Sequence, residues 1–184
     1  MAYLGSEHVL WGLLYGEIFL NIEHDTTGDD ELKTRLFTGY KTMFDNFANG
    51  IPDRNNTGTF ENAVLRVYSS LTPVISDGIT TDNLTMVRAR FFMDWFSGYA
   101  KKYPYSLFSY QDNLIRSGHF DIYDQWLFGK AEGLPQYEAW NNFHEGDIDR
   151  FLKWRSTAKL QPVTADFYNS RDIKGIFNKR KPQH

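Results

Sequence analysis

Histidine and carboxylate side chains gather in one stretch of this chain: His119, Asp121 and Asp124, followed by His144, Glu145, Asp147 and Asp149. Imidazole nitrogens with carboxylate oxygens form a ligand set for transition metals, and they also make general acid–base pairs. Either use requires the side chains to converge. The spacing favours separate duties instead, because His119 falls at a turn while Asp121 and Asp124 suit a helix start or a solvated face. A small helical metal- or ligand-binding protein, or an enzyme, centred on His119, Asp121, Asp124 and His144 is therefore the second reading of the chain.

Sharper catalytic signatures are missing from the sequence. His144-Glu145 is followed by Ile148, where a zinc-protease helix needs a second histidine. No glutamate has a histidine three residues on, as a di-iron carboxylate bundle would require. There is no Gly-x-Ser-x-Gly elbow, no phosphate loop and no dinucleotide fingerprint. The absence of cysteine removes thiolate nucleophiles and thiolate metal sites. Acidic pairs for glycoside hydrolysis could be drawn from 23 Asp and Glu, but nothing selects two of them. The chain is accordingly read as a non-enzyme, with no catalytic residue, metal ligand or cofactor assigned.

The elements that would carry these side chains read as helices throughout. Apolar residues recur at three and four from Ser6 to Glu23, with Ser6 as cap and Val9, Leu10, Leu13, Leu14, Ile18 and Ile22 as one face. After the polar turn 24–30, a second helix from Asp30 to Ala48 uses Leu32, Leu36, Tyr40, Met43 and Phe47, and the two form a hairpin. The segment 49–58 is a loop rich in Asn, Gly and Pro. Thr59 is a natural cap for a third helix bearing Phe60, Val64, Val67, Tyr68 and Leu71, which Pro73 ends or kinks. Thr81 or Asp82 can cap a fourth helix that runs to about Lys102, with Leu84, Val87, Phe91, Phe92, Trp95 and Tyr99 as its apolar positions and Pro104 as its stop.

From Leu107 to Arg155, short aromatic runs are separated by glycines. Leu107, Tyr110, Leu114 and Ile115 make one face and Gly118 suits the left-handed position that ends a helix. Phe120, Tyr123, Trp126 and Leu127 make the next, ending at Gly129 or Gly133. Pro135 opens a helix with Tyr137, Trp140 and Phe143, and Gly146-Asp147 opens another with Phe151, Leu152 and Trp154. Period-two alternation is nowhere sustained, so strands are not expected. The fold class is all-α: antiparallel helical hairpins in a solenoid-like stack or a compact bundle. Residues 1–162 are read as a single helical domain, and 163–184 as a weak helix from Thr164 to Phe177 with a flexible basic tail.

Within this stretch, the run from Leu114 to Trp126 resembles the middle of a tetratricopeptide hairpin, which places a glycine at the turn and an aromatic two residues later. Gly118, Phe120, Tyr123 and Trp126 occupy such places, while Ile122 or Tyr123 stands where the family has a small alanine. The resemblance covers about 40 residues. It implies a stack of hairpins whose concave face binds a peptide or protein segment without catalysis.

Charge and composition point the same way. The net charge is −3, with the basic residues of the last segment, including Lys179-Arg180-Lys181, set against an acidic body. An acidic body argues against nucleic-acid binding, which needs a cationic surface. From Met1 to Leu32 there are acids but no Lys or Arg, which reads as a solvated surface or a patch for a basic partner. No leader pattern or membrane span is visible, so a soluble, cytoplasmic protein is expected. Aromatics make up 17% of the chain, enough to fill a core and leave some over. Trp126, Tyr137, Trp140 and Phe143 are weighed between core and partner binding, where Trp and Tyr are enriched. Tyr103, Tyr105, Tyr110 and Trp140 are the aromatics expected to be partly exposed. The leading functional reading is a non-catalytic interaction or assembly module with a protein or peptide partner. A homo-oligomer or a structural component of a larger assembly would fit the same features.

Overall fold

In the computed structural model, residues 9–22, 28–50 and 59–163 are described. They form helices, with no strand among them. The expected all-α class is what the chain adopts. No described helix is long and apolar enough to cross a membrane.

Helix α1 (Val9–Ile22) is apolar on almost every side. Val9, Leu10, Trp11, Leu13, Leu14 and Leu20 are all buried, as are Glu17 and Asn21. A helix that is hydrophobic all round belongs inside a bundle. The expected single face is therefore corrected: Ile22 is exposed and Ile18 only half-buried, whereas Trp11 is inside. Helix α2 (Asp29–Ala48) packs against α1 at Gly16, where an added Cβ would stand 2.8 Å from Leu36 Cδ2. Three acidic residues in the first turn of α2 suit the positive end of its dipole.

Thr59 caps α3 (Phe60–Ser70) as expected, its Oγ1 accepting from Asn62 N at 3.2 Å. Pro73 then sits in a 3-10 turn, Thr72–Ile75. Helix α4 (Thr81–Gly98) begins one residue earlier than the sequence suggests, because Thr80 and Asn83 form a reciprocal capping box. It ends at Gly98, short of Lys102. Helix α5 (Ser106–Arg116) closes with His119 N–H donating to Leu114 O and Gly118 N–H to Ile115 O. That is the Schellman arrangement, and Gly118, at φ 70°, supplies the left-handed residue it needs.

Helix α6 (Phe120–Asp124) does not stop at Gly129. It passes through a π-helical turn, Gln125–Gly129, into α7 (Lys130–Glu132). Helices α8 (Leu134–Phe143) and α9 (Glu145–Thr157) follow, joined through His144. The predicted helix 164–177 and the basic tail lie outside the described residues.

The core is aromatic. Tyr68 stacks on Phe91 at 4.2 Å, and Phe60, Trp95, Tyr105 and Phe108 close around them. Tyr103, Tyr105 and Tyr110 belong to this buried set, contrary to their expected exposure. One continuous cluster runs from Val9 to Leu160. It contains no residue of α8.

Candidate functional site

Two polar regions lie on either side of α6, one dry and one open. The dry one centres on Arg88, which α4 carries between Leu84 and Phe91 on its buried stripe. Its guanidinium reaches Glu17 of α1 at 2.5 Å and bonds Asp124 of α6 on the other side. Glu17 Oε1 also accepts from Tyr123 OH at 2.7 Å and from Gln111 Nε2, and Asn21 Nδ2 donates to Tyr123 OH at 2.7 Å. Four helices thus meet on one carboxylate. The Arg88, Glu17 and Asp124 side chains are at most 3% exposed.

Two carboxylates facing one guanidinium in a dry site set the electrostatics. Burial pushes the Asp124 carboxyl up to about 7, with Arg88 pulling it down and Glu17 pushing it further up. Burial also works against the Arg88 charge, but Asp124 and Glu17 outweigh it and hold that group well above its ordinary value. Desolvation raises the Tyr123 hydroxyl, and Glu17 beside it adds to the rise. Asp124 Oδ2 is buried with no hydrogen bond. Thr85, which eases the Asp124 carboxyl down, donates its own proton to Thr81 O at 2.8 Å. A ligand cannot touch this centre unless the helices part.

The open region is a cleft of about 740 Å³ between the start of α4, the turn 117–119, α6 and the α8–α9 corner. His119, Asp121 and His144 line it together, so three of the four residues of the second reading converge. Asp124 does not join them: it points into the core, and its expected solvated position is corrected. Among the described residues, no three His, Asp or Glu side chains are placed to hold one metal ion.

Local sequence explains how the lining is held. His144 ends α8 with its ring stacked on Trp140, centroids 4.1 Å apart and planes within 11°. Its Nδ1 lies 2.9 Å from Trp140 O. A carbonyl only accepts, so Nδ1 carries the proton and Nε2 of the neutral ring is an acceptor. His119 packs its ring against Trp154 at 5.4 Å. Gln125, buried in the π turn, donates to Asp82 Oδ1 at 3.1 Å across the cleft. Glu132 of α7 accepts Thr81 N–H at 2.7 Å and ties the end of the π-containing segment to the start of α4. Single π turns of this kind often mark functional positions in helices.

The four aromatic candidates part company. Trp126 is half-buried and engaged: it stacks with Tyr123, and Lys33 Nζ and the Arg155 guanidinium lie 3.8 and 4.4 Å from its ring centroid. Arg155 at the same time donates to Leu20 O at 2.8 Å. Tyr137 and Trp140 are half-buried, and Phe143 is 88% exposed. Their weighing as core is corrected, since α8 has no buried residue. Its neighbours explain this: Tyr137 covers Gly129, where an added Cβ would come within 2.7 Å of the ring, and the helix packs mainly against the π turn, α7 and α9 at the edge of the bundle.

Sequence reading missed Glu17, Asn21, Arg88 and Gln111. A signal existed in part, because Glu17 and Asn21 are the polar residues, four apart, of an otherwise apolar helix, and Arg88 interrupts a buried stripe. No family model, curated protein or solved structure matches the chain.

Proposed function

We propose that this protein is a non-catalytic interaction module that binds a protein or peptide segment through α8 and the surface beside it. The observation carrying this reading is that α8 buries none of its residues, although Leu134, Tyr137, Trp140 and Phe143 are among them. Phe143 is 88% and Leu134 48% exposed. Single exposed apolar residues are ordinary, but a whole aromatic helix left at the surface is the mark of a face that a partner covers. Met86 at 58% exposure extends the apolar character to the neighbouring edge of α4. The tetratricopeptide-like pattern around Gly118 supports the same reading, since such hairpins recognise segments rather than transform them. In this reading no side chain is catalytic and no cofactor is required. The ligand-binding alternative is favoured by one observation, the shared cleft of His119, Asp121 and His144.

Site-specific photo-crosslinking tests the proposal. A photoreactive amino acid at Leu134 or Phe143, in protein exposed to extract of its native source, should give one and the same adduct mass. The exposed Lys101 position, on the turn after α4, serves as control and should give none. An adduct of twice the chain mass would identify the partner as a second copy. No adduct at either α8 position, or the same products from Lys101, would overturn the reading.

A further inference from the structure

The cleft between α4, α6 and α9 carries an inference of its own, beyond the α8 face. Its lining is dominated by hydrogen-bond acceptors. Asp82, Asp121 and Asp147 contribute carboxylates, and His144 keeps Nε2 as its second ring nitrogen because its Nδ1 is committed to Trp140 O. Among the described residues, Arg150 is the one Lys or Arg in that lining, and its Nη2 already bonds Asp147. Asp121 has no side-chain partner in that set. Gln125, 8% exposed, lines the same space and donates its amide nitrogen to Asp82. Trp140, backed by the His144 ring at 4.1 Å, adds an aromatic platform.

An acceptor-rich cleft beside a flat aromatic surface matches one chemistry well. A guanidinium is planar, always charged, carries five donors and stacks on aromatic faces. A compact ammonium could sit over the platform too, but it has three donors and no plane to stack, and an anion would meet three carboxylates. Arg150 borders the cleft, where its mostly exposed guanidinium pairs with Asp147 three residues before it on α9. We infer that the cleft is a binding site for a guanidinium-bearing ligand, held by Asp121 and His144 over Trp140, with Arg150 as its internal competitor. The ligand is either an arginine side chain of a polypeptide or a small alkylguanidine.

NMR titration of the full chain tests this, reading the Trp140 indole N–H, which is assigned from its disappearance in Trp140→Phe. The probes are butylguanidine, an end-blocked Gly-Arg-Gly peptide, and the same peptide with Lys or Glu in place of Arg. The guanidinium probes should give a saturable shift, Lys a weaker one and Glu none. A clear preference for the Arg peptide over butylguanidine identifies a polypeptide source, and equal binding a small-molecule one. Asp121→Asn should weaken binding about tenfold, the worth of a charge-assisted hydrogen bond. Arg150→Ala should tighten it about two- to fivefold by releasing Asp147, the size of an exposed ion pair. A merely structural arginine would not show that gain. Phe143→Ser should leave these affinities unchanged, so that failure of the α8 reading and failure of this one remain distinct. No saturable shift with either guanidinium probe, or an equal response to the Glu peptide, would overturn the inference.

Discussion

Asp121 and Asp124 stand one helical turn apart on α6 and live in different solvents. Asp124 faces Arg88 in a centre that water does not reach, while Asp121 lines a cleft open to it. The same carboxylate is structural in one place and available in the other. What separates them is the direction each leaves the helix and which helix lies opposite: α4 and α1 on the dry side, the α8–α9 corner on the wet side. Residue type thus says little about role here. The dry centre binds four helices into one bundle, and the π turn leads from Asp124 in that centre directly to Gln125 in the cleft wall.

The comparison breaks most visibly at Arg88. Arg88→Met would leave Glu17 and Asp124 buried without their cation, and removing one partner of a buried pair costs about 3–5 kcal/mol. Urea denaturation should show a loss of that size. Replacing all three charged members with apolar residues of similar volume should restore much of it, because the desolvation of every charge disappears together.

The next effect reads Asp124 by pH. Asp124 is held at about 7 in the folded protein and returns to roughly 4 when unfolded. Between those values the folded chain keeps a proton that the unfolded chain has released, so this contribution to stability is full below pH 4 and is lost as pH rises through 7. The stability difference between wild type and Asp124→Asn should therefore change with pH at a slope approaching about 1.4 kcal/mol per unit in that window. A flat line would show that the centre holds Asp124 ionised.

How much of this was legible follows from distance along the chain. Caps and turns were readable where they depend on neighbours: Thr59 bonds Asn62 and Gly118 closes on Leu114 and Ile115. Thr80 was missed in favour of Thr81 by one position, since either threonine could cap and only the partner Asn83 decides. The centre unites Glu17 with Arg88 across 71 residues and Arg88 with Asp124 across 36, and periodicity carries no information on such pairings. The visible signs were an arginine inside an apolar stripe and the pair Glu17 and Asn21 in an otherwise apolar helix. Helix α8 failed for the converse reason. Its spacing of Tyr137, Trp140 and Phe143 is that of a core helix, and only its place at the edge, against the π turn, α7 and α9, reveals a surface.

A smaller effect tests how tightly the dry centre is knit. Tyr123 OH bridges Glu17 and Asn21 with two bonds of 2.7 Å, and its ring is fully buried. Tyr123→Phe keeps the ring and removes both bonds, at a cost of about 1–2 kcal/mol for the groups left unsatisfied. The bundle should stay folded, and guanidinium binding in the cleft should not change. A loss of cleft binding would mean that the two regions are coupled through α6 more strongly than their separate linings suggest.

The smallest expected effect is the sharpest for function. Asp121→Asn removes a charge that has no hydrogen-bond or ion-pair partner among the described residues and stands on an exposed position, so the melting midpoint should move by the equivalent of no more than about 0.5 kcal/mol. In Asp124→Asn the order reverses, with stability and its pH dependence altered and cleft binding kept. The pair forms a double dissociation on one turn of helix. If Asp121→Asn destabilised the protein as Asp124→Asn does, the cleft carboxylate would be part of the scaffold, and the division between dry and open sides of α6 would have to be redrawn.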